Sequence, residues 1–174
     1  MRLRHVIAAA ATLTAVVASA GTASAATTSS GPEPWEPVQQ EEWTRPAGVY
    51  CDFTLHVDVI YDNEQTRVLS RYPDGSVKQR EYIGTLISDF VNVETGARVR
   101  KNSSAQGVVD LRPDGSWERI TGHGPFGAGF RAGDDYPRGY YLLTGYHSVV
   151  FRTDGTRYME VDQGEEENIC PLID

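Results

Sequence analysis

Three histidines follow residue 25, and each has neighbours that could put it to chemical use. His56 stands two positions before Asp58 in Phe53-Thr54-Leu55-His56-Val57-Asp58-Val59. Residues i and i+2 of an extended strand share a face, so this pair could work as a general base oriented by a carboxylate. The same pair also reads as the polar surface of a half-buried strand, which is the commoner arrangement. His123 lies in Thr121-Gly122-His123-Gly124-Pro125-Phe126-Gly127. Glycines let backbone approach a ligand closely, although such a stretch also serves as a loop or a bulged strand. His56, Asp58, Glu118, His123 and His147 are together the suspects for an enzymatic site that would form only in three dimensions. No spacing among the histidines matches a metal centre, so neither a metal nor a cofactor is expected.

The richest segment runs from Phe126 to Tyr146, FGAGFRAGDDYPRGYYLLTGY. Its aromatics alternate with glycines, and aromatics on strands can line a cavity or pack a core. His123, Phe126, Phe130, Tyr140 and Tyr146 are the candidate ligand-binding residues. Asp134-Asp135 could be imagined as a glycosidase carboxylate pair, but adjacent acids on a turn point apart and more simply cap it before Pro137. Glu165-Glu166-Glu167 reads as a solvated acidic loop. Motifs that announce a reaction are missing: no Gly-x-Ser-x-Gly elbow, no His-Glu-x-x-His, no phosphate-binding Gly-x-x-x-x-Gly-Lys. Asp110 to Gly115 begins like a calcium loop, but Arg112 and Thr121 stand where oxygen ligands are needed.

The first 25 residues set the compartment. Met1-Arg2-Leu3-Arg4-His5 carries charge, Val6 to Ala18 is an uncharged apolar run, and small residues end in Ala23-Ser24-Ala25. That order is a cleavable secretory signal, and the run is too short for the ~20 residues that span a bilayer. Export is the expectation, with no membrane attachment after cleavage. The chain carries 16 basic and 24 acidic residues, net -8. Loss of Arg2 and Arg4 leaves 14 against 24, net -10. Such a charge is not drawn to phosphate backbones, which argues against nucleic acid as a partner. Only Cys51 and Cys170 occur. In an exported chain they are expected to pair, stapling one end of the domain to the other.

Residues 26–48 are rich in proline and acids, and read as an extended arm that Trp35 and Trp43 could pin. From residue 49 to 174 the pattern has period two, giving about ten short strands separated by turns. Pro73-Asp74-Gly75, Pro113-Asp114-Gly115 and Thr153-Asp154-Gly155 are hairpin turns. They recur every 40 residues, each followed by Ser or Thr. This is a hairpin motif repeated in an antiparallel meander. The expected fold is all-β, an antiparallel up-and-down barrel or sandwich, with 49–174 as one β-barrel-like domain.

Tyr50-Cys51-Asp52-Phe53, Val93-Glu94-Thr95-Gly96, Pro113-Asp114-Gly115-Ser116, Leu143-Thr144-Gly145 and Ile169-Cys170-Pro171-Leu172 resemble a group of functionally uncharacterised actinobacterial secreted proteins. The resemblance covers residues 50–173 and implies a small β-rich domain with one Cys near each end. It transfers no functional residue. On sequence, then, the chain is a secreted β-domain that binds a small apolar molecule or an extracellular protein without catalysis. The alternatives are an extracellular enzyme and an envelope or spore-surface structural protein.

Overall fold

Period-two alternation gives half-buried strands, and strands are the main element among the described residues. The computed structural model describes residues 31–174, so residues 1–25, expected to be a secretory signal, and the start of the expected arm lie outside the described residues. Twelve strands follow in order: β1 (Glu36–Pro37), β2 (Trp43–Arg45), β3 (Leu55–Asp62), β4 (Gln65–Arg71), β5 (Val77–Ile83), β6 (Leu86–Asn92), β7 (Arg98–Asn102), β8 (Gln106–Leu111), β9 (Trp117–His123), β10 (Phe126–Phe130), β11 (Gly139–Phe151) and β12 (Arg157–Asn168). Among the described residues there is no α-helix, only a 3-10 turn at Cys170–Leu172. The ten expected runs are present, with two of them fused into the 13-residue β11. The strands β1, β2 and β10 add to them.

One sheet has the order β1-β4-β5-β8-β9-β11-β10, with β12 also on β11, and the other has the order β2-β3-β6-β7. All these pairings are antiparallel. The two sheets are continuous with each other. Gln65 pairs with Ile83 and Asp62 with Leu86 in one register, so β3–β4 and β5–β6 are halves of two long strands. The same holds for β7–β8, through Ile83↔Gln106 and Ile87↔Asn102, and for β9–β10 along β11. The molecule is therefore a meander of six long strands, four of them kinked midway. Above the kinks β8 pairs with β9; below them β7 leaves β10, and the lower halves form a second layer. That split is why the sheets form an open sandwich and not the closed barrel that was the other expectation.

The 40-residue period is visible in the backbone. At all three turns the Asp carboxylate accepts the backbone N–H of the following Ser or Thr at 2.9 Å. It also accepts the hydroxyl of that residue at 2.6–2.7 Å. Gly75, Gly115 and Gly155 take φ of 90°, 81° and 87°, a region open to glycine and closed to most side chains. Nine residues beyond each turn glycine, Gly84, Gly124 and Gly164 meet the opposing backbone. A Cβ at Gly84 would lie 2.5 Å from Asn63 O, and one at Gly164 would lie 1.9 Å from Thr144 O.

The described part of the proline-rich stretch, residues 31–48, is hydrogen-bonded into both sheets. β1 and β2 add to the otherwise open edges of β4 and β3, where unpaired backbone groups accept a further strand. Trp43 packs on the inter-sheet core and Trp35 lies 4.3 Å from the Arg67 guanidinium. That core joins Leu55, Val57 and Phe90 of the smaller sheet to Leu142 of the larger, with Tyr50, Ile169 and Ile173. The Cys51–Cys170 disulfide lies in it, with the two Cα atoms 5.4 Å apart. A second cluster holds Phe126, Ala128, Phe130, Tyr141, Leu143 and Val149.

Candidate functional site

Where β7 parts from β10, the two layers leave a cavity of about 400 Å³. The smaller sheet supplies Val57, Val59, Leu86, Ser88 and Phe90, which share the face turned toward the larger sheet. The kink of β7–β8 supplies Ser103, Ala105, Gly107 and Val109, and the kink of β9–β10 supplies Ile120, Gly122, Phe126 and Gly127. Val38, Gln40, Glu41 and Trp43 of the arm form a further wall. This volume falls within the range of small-molecule sites, roughly 300–1,000 Å³.

Three aromatic side chains make one corner of the cavity. Tyr140 lies 5.3 Å from Trp43 and 5.3 Å from Phe90, ring centre to ring centre. Glycine makes room for this packing. A Cβ on Gly127 would stand 2.1 Å from the Tyr140 hydroxyl, and one on Gly129 would stand 2.4 Å from the Tyr50 ring. The Gly-aromatic alternation of 126–130 thus has a steric cause: Phe126, Ala128 and Phe130 fill one face of β10, and tyrosines occupy the space above its glycines on the other. Burial pushes the Tyr140 phenol far above its usual pKa, and the neighbouring Tyr50 adds to the effect.

The polar side chains of the lining include the carboxylates Glu41 and Glu64, the Gln40 amide, the Tyr82 phenol and the hydroxyls of Ser88 and Ser103. Burial raises the Glu64 carboxyl above its ordinary pKa, against the opposing hydrogen bond that Gln40 donates to it at 2.7 Å. Burial also raises the Tyr82 phenol. Ser88 and Ser103 bring hydroxyls to the lining. A mainly apolar volume with these polar groups suits a ligand whose hydrocarbon or aromatic body also carries hydrogen-bonding groups.

Two of the five sequence candidates, Phe126 and Tyr140, line this cavity. Phe130 is fully buried in the second cluster, against Tyr136 and Tyr141. His123 stacks on Tyr146 with ring centres 4.9 Å apart, outside the cavity. Trp43, Tyr82, Ser88 and Phe90 join the lining from distant stretches of sequence, with no local motif to mark them.

The enzymatic suspects do not converge on the cavity. His56 and Asp58 are paired at 2.7 Å, and the other ring nitrogen of His56 contacts the Thr44 hydroxyl at 2.8 Å. This chain has the order of a hydroxyl–imidazole–carboxylate triad. It lies on the outer face of the smaller sheet, half-buried, away from the cavity lining. Both ring nitrogens are engaged, which also leaves His56 no free lone pair for an ion beside Glu42 and Asp58. Glu118 and His123 are exposed, and His147 is fully buried between β9 and β12.

No known protein family, curated protein or solved structure matches this chain. The cavity and its chemistry therefore stand on geometry alone.

Proposed function

We propose that this protein is an exported β-sandwich that binds a small, largely apolar molecule between its layers and catalyses no reaction on it. The observation that carries the reading is the inter-sheet cavity of about 400 Å³, with Trp43, Phe90, Phe126 and Tyr140 in its walls and Glu64 and Tyr82 among its polar groups. The ligand suited to it has a hydrocarbon or aromatic body that also carries hydrogen-bonding groups for partners such as Glu64 and Gln40. Export is supported by the three-part leader and by the pairing of the only two cysteines. Among the described residues no helix is long and apolar enough to cross a membrane.

The test is titration of the full chain with the neutral apolar fluorophore N-phenyl-1-naphthylamine. Saturable binding of one probe per chain is expected. Ser88→Phe and Val59→Phe, which fill the cavity from the smaller sheet, are each expected to weaken it at least about tenfold, or 1.4 kcal/mol, with the circular dichroism spectrum unchanged. Wild-type protein that binds no probe saturably, or binding that survives both substitutions, would overturn the reading.

A further inference from the structure

The structure assigns a divalent metal site of the zinc class to the β11–β12 hairpin, with His147, Asp162 and Glu166 as its ligands. Asp162 pairs directly across from His147, and Glu166 stands on the same face two pairs further along, across from Leu143. One donor atom from each of the three side chains lies within 4.8 Å of the other two. The acidic pair alone would carry no weight, since exposed carboxylates often neighbour one another. The histidine supplies the second observation. His147 is 0 % exposed, and its Nδ1 is buried without a hydrogen-bond partner. An orphaned polar atom of this kind is costly unless something else satisfies it.

The hydrogen-bond chemistry narrows what that something is. His147 Nε2 lies 3.1 Å from the carbonyl oxygen of Thr144. A carbonyl only accepts, so Nε2 carries the proton, and in the neutral ring Nδ1 carries the lone pair. That lone pair faces the Asp162 carboxylate, 3.3 Å from Nδ1 to Oδ1. An imidazole lone pair and a carboxylate oxygen so placed can both bind one cation set between them. The distance has a meaning of its own: two donors each ~2.0–2.1 Å from one tetrahedral ion stand roughly 3.3–3.4 Å apart. Donation of the second ring N–H to a backbone carbonyl is the usual way a metal-bound imidazole is oriented. Gly164 makes the space for it, because a Cβ there would stand 2.9 Å from Nε2. Glu166 is held from the other side by the Tyr136 hydroxyl, which donates to its Oε2.

One imidazole and two carboxylates favour a first-row transition ion over calcium, which takes oxygen ligands throughout. Three protein ligands leave a fourth position, on the side where Asp162 and Glu166 meet solvent. The site is separate from the apolar cavity and does not depend on it.

The experiment is zinc titration of the chelator-treated full chain by calorimetry, with a chromophoric chelator as competitor. One zinc per chain is expected, and the thermal midpoint is expected to rise with zinc concentration. Asp162→Asn and Glu166→Gln change exposed side chains and should leave the fold intact. Each is expected to lose at least the roughly 10- to 100-fold in affinity that removing even a supporting partner costs. Zinc should also shift the His147 Nδ1 resonance in a ¹⁵N spectrum. The assignment is overturned by absence of stoichiometric zinc binding, by affinity unchanged in both variants, or by calcium binding in preference to zinc. It is equally overturned if His147 is doubly protonated at neutral pH in the presence of zinc, because the contact with Asp162 is then an ion pair.

Discussion

Removing the Cys51–Cys170 bridge should bring this protein close to the edge of stability. The bridge closes a loop with a sequence separation of 119. Loop-closure entropy for a chain of that length gives about 4.9 kcal/mol at room temperature. Native domains are stable by roughly 5–15 kcal/mol in total, so the loss would be a large share. With a urea dependence of about 2 kcal/mol per molar, the unfolding midpoint should fall by about 2.4 M. Cys51→Ala/Cys170→Ala, or reduction of the wild type, can be followed by fluorescence of Trp35, Trp43 and Trp117 in urea. The structure localises the effect. The bridge joins the segment entering β3 to the 3-10 turn after β12, and Ile169 and Ile173 on either side of Cys170 are 0 % and 2 % exposed. Without it, the turn should detach first, and protease cleavage should begin there. A midpoint shift below about 0.5 M would refute the reasoning, since the non-covalent core would then hold the ends together unaided. A large shift would also explain why such a domain is suited to an oxidising compartment, where the bridge persists.

Two further outcomes follow from the packing and charge. Gly129→Ala should destabilise by about 1–3 kcal/mol, the usual cost of overpacking, because its Cβ would meet the Tyr50 ring at 2.4 Å; urea unfolding measures it, and a neutral result would mean that Tyr50 shifts freely. Hydrogen bonds from Arg100, opposed by burial, hold the Asp89 carboxyl below its ordinary pKa. For Glu81 burial is the largest single influence and acts upward, but hydrogen bonds from Gln106 and Arg67 together with the Arg67 charge outweigh it and the net shift is downward. Groups depressed in the folded state contribute stability above their unfolded pKa and lose it as pH falls through the folded value. Stability should therefore decline below the ordinary carboxylate range, and Asp89→Asn should flatten that decline in acid titrations followed by circular dichroism.

The sequence by itself determined the local order of this protein. Alternating apolar residues define the long strands because a strand exposes its two faces in turn, and Asp-Gly turns define the hairpins because few residues adopt that backbone. The cysteine pairing was legible too, since a chain expected to be exported and holding two cysteines has one intramolecular bridge to make. The aromatic, glycine-rich stretch from 126 to 146 was recognisable as unusual because its composition departs from that of the other strands.

Tertiary structure decided everything that depends on which strands face one another. Nothing local says that β7 parts from β10, because hydrogen-bond register is set by kinks and by packing across the layers. That separation chose sandwich over barrel and opened the cavity, bringing Trp43, Tyr82, Ser88 and Phe90 to Phe126 and Tyr140. Phe130 shares a face of β10 with Phe126 but lies four residues further from the kink, where it packs on Tyr136 and Tyr141. His147, Asp162 and Glu166 have no metal-ligand spacing in sequence, yet a cross-strand register sets the first two directly opposite. Only the fold shows that His147 Nδ1 is buried without a hydrogen-bond partner while Nε2 meets the Thr144 carbonyl, for burial and partners are properties of the folded chain.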